Sequence, residues 1–147
     1  MAHSFIKLWV HAIWTTKDRI ALIPAINDGK IYEFIHQELN KMHCEVNIIN
    51  GMPNHIHCLF QLDHQKCISD VIKQIKGSSS HFINTNNLTT SKFSWQVGYS
   101  SFSVSQSMVE KVETYIRNQK QHHQKISFED EYNSFLQLNG YTSENFI

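Results

Sequence analysis

The stretch from Cys44 to Leu62, "CEVNIINGMPNHIHCLFQL", places the strongest constraint on the fold. Two apolar-rich runs flank Gly51-Met52-Pro53-Asn54, and Gly, Pro and Asn all favour turns. The pattern predicts a hairpin, with strands over 44–50 and 55–62. In the second strand, side chains two apart share a face. His55 and His57 therefore lie on one side. Ile56, Cys58, Phe60 and Leu62 form the opposite, apolar side.

The chain around this hairpin changes its hydrophobic period in a definite order. "SFIKLWVHAIWTT" alternates and is rich in β-branched and aromatic residues, which predicts a strand over 4–16. "NDGKIYEFIHQELNKMH" puts Ile31, Phe34, Ile35, Leu39 and Met42 at helical spacing, with Asn27 or Asp28 as the cap. "ISDVIKQIKGSSSHFIN" reads as a second helix, capped by Ser69 or Asp70. "KFSWQVGYSSFSVS" is extended, with a break at Gly98. "SMVEKVETYIRNQKQHH" predicts a third helix over 107–123. "SFEDEYNSFLQLNG" predicts a fourth, capped by Ser127 and stopped at Gly140. The order β-α-β-β-α-β followed by helices is that of an α+β, ferredoxin-like (RRM-like) sandwich with an antiparallel sheet. Two helices cover one sheet face in such a fold and leave the other available. The fold by itself decides no function.

Composition narrows the classes. The 147 residues suit one domain, 1–147, with one modest core. Hydrophobic residues make up 41% and charged residues 18%, so the chain is globular rather than disordered. No apolar run approaches the roughly 20 residues that cross a bilayer, and the N-terminus lacks a basic leader with an apolar block. A cytoplasmic location is expected. Cys44, Cys58 and Cys67 have no CxxC spacing, which suits reduced thiols rather than a disulfide frame or zinc knuckle. Lys and Arg total 13, as do Asp and Glu. That balance argues against a charge-driven duplex binder and allows a local grip on a few phosphates.

Ten histidines direct attention to titration or metal chemistry. His55 and His57 can converge on one ion; alternatively they are two polar residues on a solvated strand face. In the third helix, Val109, Val112 and Ile116 form the apolar stripe. Glu110, Glu113, Arg117 and Lys120 fall on the solvated side. Tyr115 and Gln119 lie one turn apart on the edge of that stripe, near Lys111 and His122. A tyrosine there can be plain packing. With an HxH pair in the same chain, the glutamine oxygen can complete a site of two imidazoles and one carbonyl-type oxygen. Such neutral ligands leave a divalent ion its full charge for phosphate. His122 and His123 are rival ligands to Gln119. Glu129, Asp130 and Glu131 read as acids favouring the dipole of the last helix, with contact to the site as the lesser alternative.

These residues carry a resemblance. "NHIHCLF" resembles the His-hydrophobic-His motif of the HUH nucleases, and "YIRNQ" the Tyr-x-x-x-Gln helix of their single-tyrosine branch. "WQVGYSSFSVS", "WTTKDR" and "IKGSSSHFIN" are similar to segments of small insertion-sequence transposases of the IS-two-hundred type, to which REP-associated tyrosine transposases are related. The similarity runs in order from about residue 4 to about residue 135. It implies Mg²⁺ or Mn²⁺ held by His55, His57 and Gln119. It implies Tyr115 as the nucleophile on single-stranded DNA, with a 5′-phosphotyrosine intermediate and a free 3′-OH. It further implies hairpin recognition and a homodimer that shares its active sites. Alternatives are a domesticated HUH nuclease acting on repeated extragenic hairpins and a non-catalytic single-stranded nucleic-acid-binding module. A zinc hydrolase using His122 lacks a carboxylate placed as its base.

Candidate DNA contacts are Lys17 and Arg19 after the first strand, Lys73 and Lys76 on the second helix, and Lys111. The lysine pair can equally be a solvated helix face. Ser78, Ser79 and Ser80 could donate to phosphate. Phe5, Lys7, Trp9 and His11 share a strand face on which bases could stack, unless Phe5 and Trp9 are core.

Overall fold

The structure of the chain, a computed structural model, describes residues 3–142 and 144. Four strands form one antiparallel sheet: β1 Trp9–Thr15, β2 Val46–Met52, β3 His55–Gln61 and β4 Ser100–Val104. Their spatial order is β2-β3-β1-β4. Helices α1, Ala25–Lys41, and α2, Ile68–Thr85, are the two crossovers of a ferredoxin-like sandwich. Three helices follow: α3 Val109–Arg117, α4 Gln119–His122 and α5 Phe128–Leu138. No helix among the described residues is long and apolar enough to cross a membrane.

The hairpin turns tightly. β2 and β3 are joined by Pro53-Asn54 alone, with Met52 paired to His55 and Gly51 to Ile56. A Cβ on Gly51 would lie 2.2 Å from the carbonyl oxygen of His55, so only glycine permits this close approach. The turn thereby fixes the register that puts His55 and His57 on one face.

That register divides the sheet's side chains. Ala12, Trp14, Ile56, Cys58 and Phe60 pack with Ile31, Ile35, Leu39, Val71, Ile72, Ile75 and Ile83 of α1 and α2. Each such buried aliphatic contributes roughly 1.5–3 kcal/mol relative to an exposed one. Cys44 and Cys58 are buried free thiols, and Cys67 is an exposed one. The second face, expected to be available, is covered. Trp9 and Leu59 pack on Val109 and Ile116 of α3, and Ile13 and Phe102 pack on Phe128 and Leu136 of α5.

Several boundaries differ from expectation. The first strand spans 9–15 rather than 4–16, because β3 and β4 stop pairing with it at Trp9. Phe5 is exposed, and Trp9 is core with its indole N–H donating to Gln106 Oε1 at 2.8 Å. The base-stacking face therefore does not exist in this form. Helix α1 begins at Ala25 after Pro24, so neither Asn27 nor Asp28 caps it. Asn27 donates to the Leu88 carbonyl and Asp28 pairs with Lys120. Helix α2 starts after Cys67, not at Ser69 or Asp70, and its start has no side-chain cap. Gly98 does mark the break before β4, at φ +96°. Ser127 caps α5, its hydroxyl oxygen accepting from the Asp130 amide. The helix expected over 107–123 breaks at Asn118.

Candidate active site

His55 and His57 enter from β3, opposite Thr15 and Ile13 of β1. Both are fully buried under α3 and α5, rather than facing solvent. Tyr115 reaches in from the last turn of α3, and its ring centroid lies 6.0 Å from that of His57. Gln119, at the start of α4, is also buried, and its Oε1 lies 3.1 Å from His55 Nε2. The HxH pair, the tyrosine and the glutamine thus meet.

The break at Asn118 sets up this meeting. Asn50 of β2 donates its side-chain amide to the carbonyls of Ile116 and Arg117, at 3.0 and 3.1 Å. Those carbonyls would otherwise bond to the next helical turn. Lys120 donates to Asn50 Oδ1 and the Gly51 carbonyl and pairs with Asp28, so it is fixed rather than simply solvated.

The centre of the site is a residue that sequence reasoning placed elsewhere. Glu131 of α5 is 2% exposed. Its Oε1 lies 3.0 Å from His57 Nε2 and 3.5 Å from His55 Nε2. Its Oε2 accepts from the Tyr115 hydroxyl and, at 2.8 Å, from Gln119 Nε2. His123 Nε2 lies 3.1 Å away, without the alignment of a hydrogen bond, and His122 Nε2 lies 3.6 Å away. Glu131 is therefore not a solvated helix-dipole charge, and the site is not made of neutral groups alone. The sequence did carry one signal. Phe128, Glu131, Tyr132 and Phe135 fall on one helical stripe. An acid within such a stripe has to be paired inside.

Burial and charge set the protonation states. Burial, reinforced by His57, pulls His55 down to about 3. Burial also lowers His57, against the pull of Glu131. Both rings are thus neutral at pH 7, as metal ligation requires. Burial alone would raise Glu131, but the adjacent His123 and the hydrogen bonds from His57 and Gln119 outweigh it and hold the carboxyl well below the usual range. For His123 burial lowers the pKa, yet Glu131 beside it produces a net rise. Tyr115 is raised, first by burial and then by Glu131.

The donor set fits a divalent ion. A metal with bonds of about 2.1 Å needs adjacent ligand atoms about 3 Å apart. His55, His57 and Glu131 each offer an atom within 4.8 Å of the others, and the Gln119 oxygen is 3.1 Å from His55. Two imidazoles with carboxylate and amide oxygens make a mixed nitrogen and oxygen donor set for a divalent cation.

The candidate DNA contacts are scattered. Lys17, Lys73 and Lys111 are exposed. Lys111 has no described link to Tyr115. Arg19 pairs with Glu129 at 3.1 Å and lies over the Phe128 ring. Lys76 holds the carbonyls of Gln96 and Gly98 at 2.6 and 2.7 Å. Ser78, Ser79 and Ser80 donate to carbonyls of their own helix, and Ser79 accepts from the Trp95 indole.

Known proteins resemble this chain. Residues 4–119 match the family model described as Transposase IS200 like. The ISDra2 transposase TnpA of Deinococcus radiodurans is 27% identical over 119 residues, spanning 77% of this chain and 84% of that protein. A crystal structure from Deinococcus radiodurans, described among the transposases, superposes with a TM-score of 0.62 at 22% identity, over 81% of this chain and 96% of that one. The REP-associated tyrosine transposase solved on a REP hairpin gives a TM-score of 0.63 at 16% identity, over 86% and 74%. These two structures share the α+β fold. The family match extends from before β1 through the tyrosine helix to Gln119, and the chain belongs to the IS200-like transposase family.

Proposed function

We propose that the chain cuts and rejoins single-stranded DNA through Tyr115, with residues 1–147 acting as one catalytic domain. The observation that carries this reading is convergence: the Tyr115 hydroxyl, His55, His57 and Gln119 all meet at the Glu131 carboxylate. A scissile phosphate is also an anion that must touch both a metal site and the nucleophile. Glu131 ties the two together, holding the phenol against the histidines.

The roles follow from the geometry. Neutral His55 and His57 offer lone pairs to a divalent ion, with Gln119 and Glu131 as oxygen donors. A bound Mg²⁺ or Mn²⁺ would polarise the phosphate and steady the departing 3′ oxygen. Tyr115 gives its proton to water, with the ionised Glu131 orienting the phenol, and its oxygen attacks phosphorus. The bond from phosphorus to the 3′ oxygen breaks. The 5′ side remains as a phosphotyrosine and the 3′ oxygen takes a proton. A 3′-OH can later attack that ester and release Tyr115, so joining needs no external energy source.

Hairpin DNA is the proposed substrate, as for the relative solved on a REP hairpin. Lys17, Lys73 and Lys111 are the exposed cations that could meet its phosphates, in a cytoplasmic setting. A homodimer would share active sites only by exchanging α3, since Tyr115 already faces the histidines of its own chain.

The test uses labelled single-stranded DNA from the gene's flanks, incubated with Mn²⁺ and resolved on a denaturing gel. A covalent protein–DNA band is expected, and Tyr115→Phe and His57→Ala should each abolish it. Cleavage without that band would mean a hydrolytic nuclease. Tight binding without cleavage would mean a binding module.

A further inference from the structure

His11, read in the sequence only as part of the base-stacking strand face, has no role in the site described so far. It lies on β1 between Leu59 of β3 and Phe102 of β4, on the active-site face of the sheet. It is 2% exposed. Its Nε2 is 2.8 Å from Nδ1 of His57, and its ring stands edge-on to Phe135 of α5 at 5.0 Å. Two rings in direct contact, both buried, must agree on which one donates.

Geometry decides the arrangement without an ion. Glu131 Oε1 lies 3.0 Å from His57 Nε2, and a carboxylate oxygen accepts, so His57 donates from Nε2. Its Nδ1 then accepts from His11 Nε2–H. Ligation through His57 Nε2 demands the reverse. The ring's proton must move to Nδ1, and that N–H needs an acceptor.

We propose that His11 is a positioning residue for the metal site, orienting His57 and accepting its Nδ1–H when Nε2 is used as a ligand. This rests on the metal-site reading given above. The protons balance. One passes from His11 Nε2 to His57 Nδ1, the proton on His57 Nε2 leaves, and His11 takes one up at Nδ1. Both rings remain neutral, so a buried pair exchanges tautomers with no charge left in the core. An imidazole suits this because one atom, Nε2, is donor in one state and acceptor in the other. A buried apolar side chain in its place would leave an unsatisfied N–H next to the ligand.

The test measures Mn²⁺ affinity by calorimetry for the full chain, with thermal unfolding as a check on folding. His11→Phe keeps the ring and should weaken binding about 10- to 100-fold. His11→Gln retains an amide that can accept, and should recover most of that loss. Equal affinity in folded wild type and His11→Phe would overturn the proposal. So would His11→Gln binding no better than a folded His11→Phe. If His11→Phe does not fold, nitrogen-15 spectra of the wild type with diamagnetic Zn²⁺ decide. The expected result is a proton on His57 Nδ1 coupled across the hydrogen bond to His11 Nε2. Ligation through Nδ1, with the proton on Nε2, would overturn it. A wild type that binds no ion would sink the metal-site reading, and the role of His11 with it.

Discussion

Glu131 changes the chemistry expected of the site. Two histidines and an amide would hold an ion loosely and leave it fully charged, whereas a buried carboxylate adds a strong oxygen donor and a negative charge. Glu131→Gln keeps the shape and removes the charge. Mn²⁺ affinity is expected to fall by at least about tenfold. Because Glu131 helps to raise Tyr115, the variant's phenol should ionise at lower pH than in wild type. Calorimetry and the phenolate absorbance of a pH titration check both. An unchanged affinity would remove Glu131 from the ligand set. Gln119→Ala should also weaken the ion, through loss of the oxygen near His55, and no change there would leave Gln119 only the role of donating to Glu131. His55 and His57 were legible from the strand period, and Tyr115 with Gln119 from the resemblance of "YIRNQ" to the family's tyrosine helix, since α3 itself ends before Gln119. Glu131 and His11 were not, because each is a single residue on a distant element. Their roles arise only once β1 pairs with β3 and α5 packs over both.

The elements themselves were mostly legible, and the exceptions share one cause. The hairpin, the order of strands and helices, the Ser127 cap and the stop near Gly140 follow from local turn and cap chemistry, and they were found. Helix α3 was read through to 123 because nothing in "YIRNQKQHH" breaks a helix locally. The break comes from Asn50, some 66 residues earlier in the chain, whose amide captures the final carbonyls of α3. The length of the first strand was likewise decided by where its neighbours end. Asn50→Ala frees those carbonyls and the Lys120 contact. It is expected to cost about 1–2 kcal/mol in urea unfolding, mostly from the two hydrogen bonds lost to the α3 carbonyls, the Lys120 contact being exposed. Covalent complex formation should fall more than Mn²⁺ affinity, because Tyr115 sits at the loosened end while the β3 histidines stay in the sheet. A variant as stable as wild type would mean that the break is intrinsic to the α3–α4 sequence.

At the scale of the molecule, the net charge of zero hides a concentrated cluster of titratable groups between sheet and helices. His11, His55 and His57 are all held neutral by burial, and Glu131 is held ionised. A groove of about 270 Å³ along Ala21, Met52–His55, His123 and Ile126–Phe128 reaches only the His55 edge of this cluster. Conditions that charge the buried histidines should loosen this packing. The sign follows from proton counting. For His55 the unfolded pKa is near 6.5 and the folded value about 3, so between them the unfolded chain binds more protons and stability falls as pH falls. One such histidine contributes a loss of about 1.4 kcal/mol at pH 5.5 relative to neutrality. His11 and His57 act in the same direction, and Glu131 adds a loss below its unfolded value as it must protonate. His123, whose pKa is raised, acts in the opposite direction. Its contribution is fully present below about 6.5 and is lost as pH rises through its folded value. Three lowered histidines against one raised predict a net loss, so the urea midpoint should drop clearly between pH 7.5 and 5.5. His57→Phe, which removes one buried group that must charge, should show a shallower drop. A midpoint that stays flat or rises over this range would mean that the histidines take up protons in the folded state, and that the closed cluster is more open to water than its burial indicates.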